Sequence, residues 1–174
     1  EIRSRGLGDV YKRQIGDIGN TDIKICVYKN KNIVKKIRLS TNKVNLKYLK
    51  KNLNVLRKYD KKLKQILFCS VVPNCYKKIK NYFKLYFNTN CNELKNLNLS
   101  KLLSIKVNRK QIGSDRLANA ISVIDNKNNY IVVDFGTATN FDVISANSYN
   151  GGVIAPGINL SLENLSKKAS LIPN

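Results

Sequence analysis

Three aspartates carry the chemistry this sequence can offer. Asp17 opens Asp17-Ile18-Gly19-Asn20-Thr21, and Asp134 opens Asp134-Phe135-Gly136-Thr137 with Thr139 close behind. Asp115 sits in Gly113-Ser114-Asp115-Arg116. The first two stretches share one pattern, and each runs into an apolar segment, so they read as a duplicated element. Glycine at the turn lets the backbone approach a ligand closely. Successive backbone N–H groups and threonine hydroxyls form a concavity for anions. A carboxylate cannot hold phosphate directly, but it can hold a cation or its waters, and the cation can hold phosphates. Two such hairpins facing each other would clamp a polyphosphate. A lone Asp-x-Gly-x-Thr reads as an Asx-type turn; two copies with a third Gly-x-Asp-Arg motif point to phosphate binding.

Two lookalikes fail. Asp134-Phe135-Gly136 spells the kinase DFG, but no HRD loop or VAIK strand precedes it and a strand follows it. No GxxxxGK[ST] occurs, so this is not a P-loop enzyme.

These motifs need rigid elements around them. Ile23–Tyr28 and Ile33–Leu39 read as a hairpin. Ser40 or Thr41 can cap a helix carrying Leu46, Leu49, Leu53 and Leu56 at spacings of three and four. Ile66–Val72, ending at Pro73, has the wholly apolar character of a central strand. A helix is expected over 74–83, strands at Tyr86-Phe87 and Leu102–Val107, and a loop over 88–101. Leu117, Ile121 and Ile124 place a helix after Ser114 or Asp115, which can cap its first turn. Tyr130–Val133 reads as a buried strand holding Asp134 rigidly. Strands at Phe141–Ala146 and Gly151–Ala155 follow, then a helix after Pro156-Gly157. The alternation is that of an α/β fold.

Composition excludes other chemistry. There is no histidine, hence no histidine catalysis or histidine metal site. Cys26, Cys69, Cys75 and Cys91 form no CxxC pair and read as reduced, buried thiols of a cytoplasmic protein. The net charge of +21 invites a nucleic-acid reading. Yet the lysines are spread from Lys12 to Lys168, arginine is scarce, and Asn, Ile and Tyr rise with Lys as AT-biased coding would produce. No nucleic-acid or membrane partner is expected; no stretch approaches the roughly 18 apolar residues of a membrane span. Residues 1–14 (EIRSRGLGDVYKRQ) lack the Lys/Asn/Ile bias and read as an adaptor-derived leader.

DIGNT at 17–21, CSVVP at 69–73, GSDRLANA at 113–120, VVDFGTATNFDVI at 132–144 and GGVIAPGINLSLENL at 151–165 together resemble type III pantothenate kinase, in the family's order. The resemblance implies ATP-dependent phosphorylation of pantothenate, the first step of coenzyme A biosynthesis. It implies the actin-like ATPase fold: a ribonuclease-H-like domain over 15–128 and the start of a second over 129–174. ATP phosphates would meet Asp17, Ile18, Gly19, Asn20, Thr21, Asp22, Ile23, Lys24 and Thr137. Pantothenate would meet Gly113, Ser114, Asp115 and Arg116, with Asp115 as proton acceptor. Asp134 would bind a monovalent cation, potassium or ammonium, and Asp17 would meet Mg²⁺ through the phosphates. Asp115 at a helix start suits deprotonation of a hydroxyl, and Arg116 suits a carboxylate or phosphate oxygen; the plainer alternative for the pair is a cap and a surface ion pair. Asp142 is expected to be structural. Full-length members are homodimers. Asn140 stands where the family has a second Thr, and Ser114 where Ala is usual. The family continues well past Ile172-Pro173, so these residues alone are expected to be inactive and marginally stable.

Overall fold

The computed structural model describes residues 12–29 and 32–168. The chain is mixed α/β with two sheets, and its contacts group it into two units. The first unit is Glu1–Leu97 with Gly113–Asp115; the second is Asn98–Ile112 with Arg116–Asn174. The boundary expected from motif order lies at 128/129, whereas grouping by contact puts 98–112 and 116–128 with the second sheet.

The first unit has a sheet of order β3-β2-β1-β4-β5. Strands β1 (Lys12–Ile18), β2 (Asp22–Lys29) and β3 (Asn32–Ser40) form an antiparallel meander. Strands β4 (Leu63–Ser70) and β5 (Cys91–Glu93) add on in parallel with β1. Residues 12–14, expected to be leader, continue β1 through main-chain pairing, Arg13 and Gln14 with β2 and Lys12 and Gln14 with β4; backbone bonding asks little of side-chain identity. The rest of that leader lies outside the described residues.

Helix α1 (Leu46–Leu53) begins later than Ser40 or Thr41 would start it. Asn45 caps it, its side chain accepting from the Tyr48 N–H. Leu49, Leu53 and Leu56 are buried as the spacing predicts, but Leu46 in the first turn is 53% exposed.

Helix α2 (Pro73–Phe87) starts on a proline whose missing N–H costs nothing there, and ends at Asn88 in the left-handed region (φ 47). Its buried stripe is Cys75, Ile79, Tyr82, Phe83 and Phe87. Tyr86-Phe87, expected as a strand, is therefore the last turn of a helix, because these rings extend the aromatic stripe. Phe83 lies 5.3 Å from Phe87, 5.8 Å from Tyr82 and 6.1 Å from Phe68, centroid to centroid. Phe83→Ala should destabilise this unit by about 3–5 kcal/mol, read as a lowered urea midpoint at constant m. The expected loop 88–101 contains β5, a three-residue strand held by backbone pairing to β4.

The second unit has a sheet of order β6-β9-β8-β7. Strands β7 (Asn129–Phe135), β8 (Ala138–Ser145) and β9 (Ser148–Pro156) again form an antiparallel meander. The expected strand 102–107 shrinks to β6 (Ser104–Ile105), parallel to β9. Helix α3 (Ser114–Val123) lies on the sheet face of Asp134 and Asp142, reaching both through side chains. Helix α4 (Ile158–Lys168) follows Gly157.

The strand before Asp134 is not buried as expected. Ile131 is 69% exposed, Val133 41% and Phe135 66%. Strand β7 is the edge of its sheet, and these residues point away from α3. The cross-strand register aligns Ile131 with Val143, Val133 with Phe141, and Phe141 with Val153. All five are exposed and form one apolar face.

Candidate functional site

Asp17 is the penultimate residue of β1, flanked in register by Cys69 on β4 and Lys24 on β2. Its side chain is about half exposed, with Lys24 Nζ at 3.8 Å. Ile18 behind it is fully buried and anchors the strand end. The turn then closes on itself: Gly19 N–H donates to the Asp22 carbonyl at 2.9 Å. Thr41 fastens the turn from outside, its hydroxyl donating to the Gly19 carbonyl at 2.8 Å and its N–H to the Thr21 carbonyl at 2.9 Å. Asn20 and Thr21 remain exposed on a turn braced from below. Asp22 pairs with Arg38, whose hydrogen bond holds the Asp22 carboxyl below its usual pKa.

Gly16 is part of this geometry and escaped sequence reasoning. It lies opposite Phe68, and a Cβ there would fall 2.0 Å from the Phe68 ring. The turn after Asp17 is thus launched from a strand pressed against an aromatic ring that only glycine admits.

The carboxyl ends of parallel strands are where open α/β sheets bind ligands. Here β1, β4 and β5 end at Asp17-Ile18, Cys69-Ser70 and Glu93. Burial pushes the Cys69 thiol up to about 12, reinforced by the negative charges of Asp17, Glu93 and Asp115. The register places Asp17 beside Cys69 and Glu93 beside Phe68, and the residue before Asp115, Ser114, hydrogen-bonds Glu93. Glu93 is a second residue missed in the sequence, lying in a stretch expected to be loop. It is buried and accepts a hydrogen bond from Ser114, tying down the start of α3. The alternation Cys91-Asn92-Glu93, buried-exposed-buried, is the signal that was present. Gly113 lets the Asp115 carboxyl fold back: a Cβ at 113 would sit 2.4 Å from Asp115 Oδ1.

In the second unit Asp134 again stands at a strand end before a tight turn. Gly136 N–H donates to the Ala138 carbonyl at 3.0 Å, echoing the Gly19 closure. Gly157 backs the turn, donating to the Thr137 carbonyl at 3.2 Å; a Cβ there would meet the Gly136 carbonyl at 2.4 Å. Thr137 is exposed, and the buried Thr139 hydroxyl donates to the Pro156 carbonyl at 3.3 Å. Asp134 Oδ2 accepts from Asn119 Nδ2 at 2.9 Å. Arg116 is not a surface ion pair: its side chain is 11% exposed and faces the fully buried Asp142.

Among the described residues no three His, Cys, Asp or Glu side chains gather as a metal cage. All four cysteines are free; Cys75 and Cys91 are buried and Cys26 and Cys69 half-buried.

A family model described as type III pantothenate kinase matches residues 15–174. The type III pantothenate kinase of Pelagibacter ubique (strain HTCC1062) is 56% identical over 160 residues, covering 91% of this chain and 64% of that relative. The one from Desulforapulum autotrophicum is 33% identical over 167 residues, covering 90% and 63%. This chain thus spans a little under two thirds of the length of these curated relatives. Among solved structures, a conserved Baf family protein from Campylobacter jejuni superposes with a TM-score of 0.54 at 21% identity, covering 92% of this chain and 63% of that one. The Aquifex aeolicus Ppx/GppA phosphatase, type II variant, gives 0.53 at 13% identity, covering 91% and 57%. At these identities the structural likeness speaks for the fold.

Proposed function

The chain belongs to the type III pantothenate kinase family, and from that premise we propose that the full-length protein transfers the γ-phosphoryl group of ATP to pantothenate, opening coenzyme A biosynthesis. The observation that carries this reading is that Asp17 and Glu93 stand at the carboxyl ends of the first sheet's parallel strands and that Ser114, next to Asp115, hydrogen-bonds Glu93, in a chain otherwise poor in acids.

Phosphoryl transfer asks a protein mainly for positioning and charge neutralisation. The braced turn from Asp17 to Lys24 offers backbone donors to the ATP phosphates, and Thr137 offers a hydroxyl. Mg²⁺, when bound, neutralises phosphate charge; it keeps several waters and needs only one or two carboxylates, a demand Asp17 meets. Asp134 takes potassium or ammonium, with Asn119 holding one carboxylate oxygen in place. Gly113 to Arg116 receive pantothenate. Asp115 accepts the proton of its hydroxyl as that oxygen attacks the γ-phosphorus and ADP leaves.

In this reading the first sheet, with its order β3-β2-β1-β4-β5, belongs to one ribonuclease-H-like domain and the second meander opens another, as in actin-like ATPases. The working form is a homodimer in the cytoplasm with no nucleic-acid or membrane partner. No helix among the described residues is long and apolar enough to cross a membrane.

The test is direct. Full-length protein with ATP, Mg²⁺, K⁺ and pantothenate should form ADP and phosphopantothenate in equal amounts, identified by mass, and omission of K⁺ should slow it. A protein that binds ATP yet makes no phosphopantothenate under these conditions would be a non-catalytic member of the superfamily, and the proposal would fall.

A further inference from the structure

The head of α3 is tied down in an unusual way. Arg116 Nε donates to Asp142 Oδ1 at 2.8 Å, and Nη2 lies 2.6 Å from the same oxygen. The Tyr149 hydroxyl donates to that oxygen as well, at 2.6 Å. Asp142 and Tyr149 are both fully buried. Gly152 on β9 passes so close that a Cβ there would lie 2.7 Å from Arg116 Nη2. The site has been shaped around a guanidinium.

Such a pair is a poor way to hold a helix to a sheet. Desolvating two charges offsets most of their attraction, and two well-packed apolar side chains would do as well. What the ion pair adds is direction. The Nε–H hydrogen bond, with Nη2 in close charge contact with the same oxygen, orients the guanidinium, and a tyrosine donating to that oxygen fixes the carboxylate in turn. The residue so fixed is the immediate neighbour of Asp115, in the first turn of the same helix.

We propose that Asp142, oriented by Tyr149, is a positioning residue: it locks Arg116 and thereby sets the first turn of α3 from which Asp115 acts. The proposal rests on the kinase reading above. Neither Asp142 nor Tyr149 need touch a substrate.

Two variants of the full-length protein test it. Tyr149→Phe removes only the hydroxyl, and Asp142→Asn keeps the shape and one acceptor while removing the charge. Both should lower kcat by about 10–100-fold, the scale on which a misplaced group costs rate. ATP affinity should stay within twofold, and Tyr149→Phe, which takes one donor from a buried carboxylate, should lower the melting temperature by only a few degrees. Amide hydrogen exchange should quicken at residues 118–120, whose N–H groups close onto the carbonyls of the first turn, and stay unchanged in α2. A strut with no positioning role would change the melting temperature and leave kcat untouched in Tyr149→Phe; that result overturns the proposal, as does unchanged exchange at 118–120 in both variants. If the parent protein makes no phosphopantothenate, the kinase reading fails on its own, and the exchange measurement still decides whether Asp142 and Tyr149 set the turn.

Discussion

Full-length protein carrying Asp115→Asn is expected to lose about 10³-fold in kcat while still binding ATP, within the range that removal of a positioned general base costs. The substitution keeps the side chain's volume and removes its ability to take a proton. Asp115 is held by what surrounds it: Ser114 is tied to Glu93, and Gly113 leaves room for the carboxyl to fold back over its backbone. The amide should therefore occupy the same place, and the loss should fall on the chemical step. Calorimetry with a non-hydrolysable ATP analogue should give an affinity within a few-fold of the parent's. Turnover within tenfold of the parent's would mean that Asp115 is not the proton acceptor.

The second large effect is on stability. Gly152→Ala should destabilise the protein by about 3 kcal/mol or more, at or beyond the upper end of ordinary overpacking. The new Cβ would stand 1.9 Å from the Phe141 carbonyl oxygen and 2.9 Å from Asp142 Cα. Both are main-chain atoms of the neighbouring strand, so no rotamer change relieves the clash; β8 and β9 must part. That would also strip Arg116 and Asp142 of their enclosure. Gly136→Ala is the matched control, since its Cβ would meet only the Ala138 carbonyl, at an ordinary 3.5 Å. Urea midpoints should separate the two clearly. Equal midpoints would show that the β8–β9 spacing is softer than the structure portrays.

What could be read from the sequence was what is local. The two Asp-x-Gly turns are contiguous, and their closure through the glycine N–H follows from residue type and spacing. The β2–β3 hairpin and the buried stripe Leu49, Leu53 and Leu56 follow from periodicity. The rest depended on partners far along the chain. Arg116 and Asp142 are 26 residues apart, and nothing around either announces the other. Glu93 gains its meaning only from Ser114. Gly16 looks dispensable until Phe68 arrives from β4. Strand β5 has three residues and is paired entirely through its backbone, so its side chains carry almost no strand signal. Tyr86-Phe87 misled because aromatic pairs favour strands in general, whereas here they complete a helical stripe. The run before Asp134 misled because apolar content predicts burial only when something lies on both faces, and α3 lies on one.

That last point reaches into handling at the bench. Ile131, Val133, Phe141, Val143 and Val153 make a greasy plate on the sheet, whose rim along β7 pairs only with β8 among the described residues. Against it stands a charge of +21, which keeps copies apart at long range. Salt shortens that repulsion to about 10 Å at 0.1 M, so colloidal behaviour becomes a contest decided by the buffer. A polypeptide of these residues alone should stay dispersed in dilute electrolyte and cloud as ionic strength climbs.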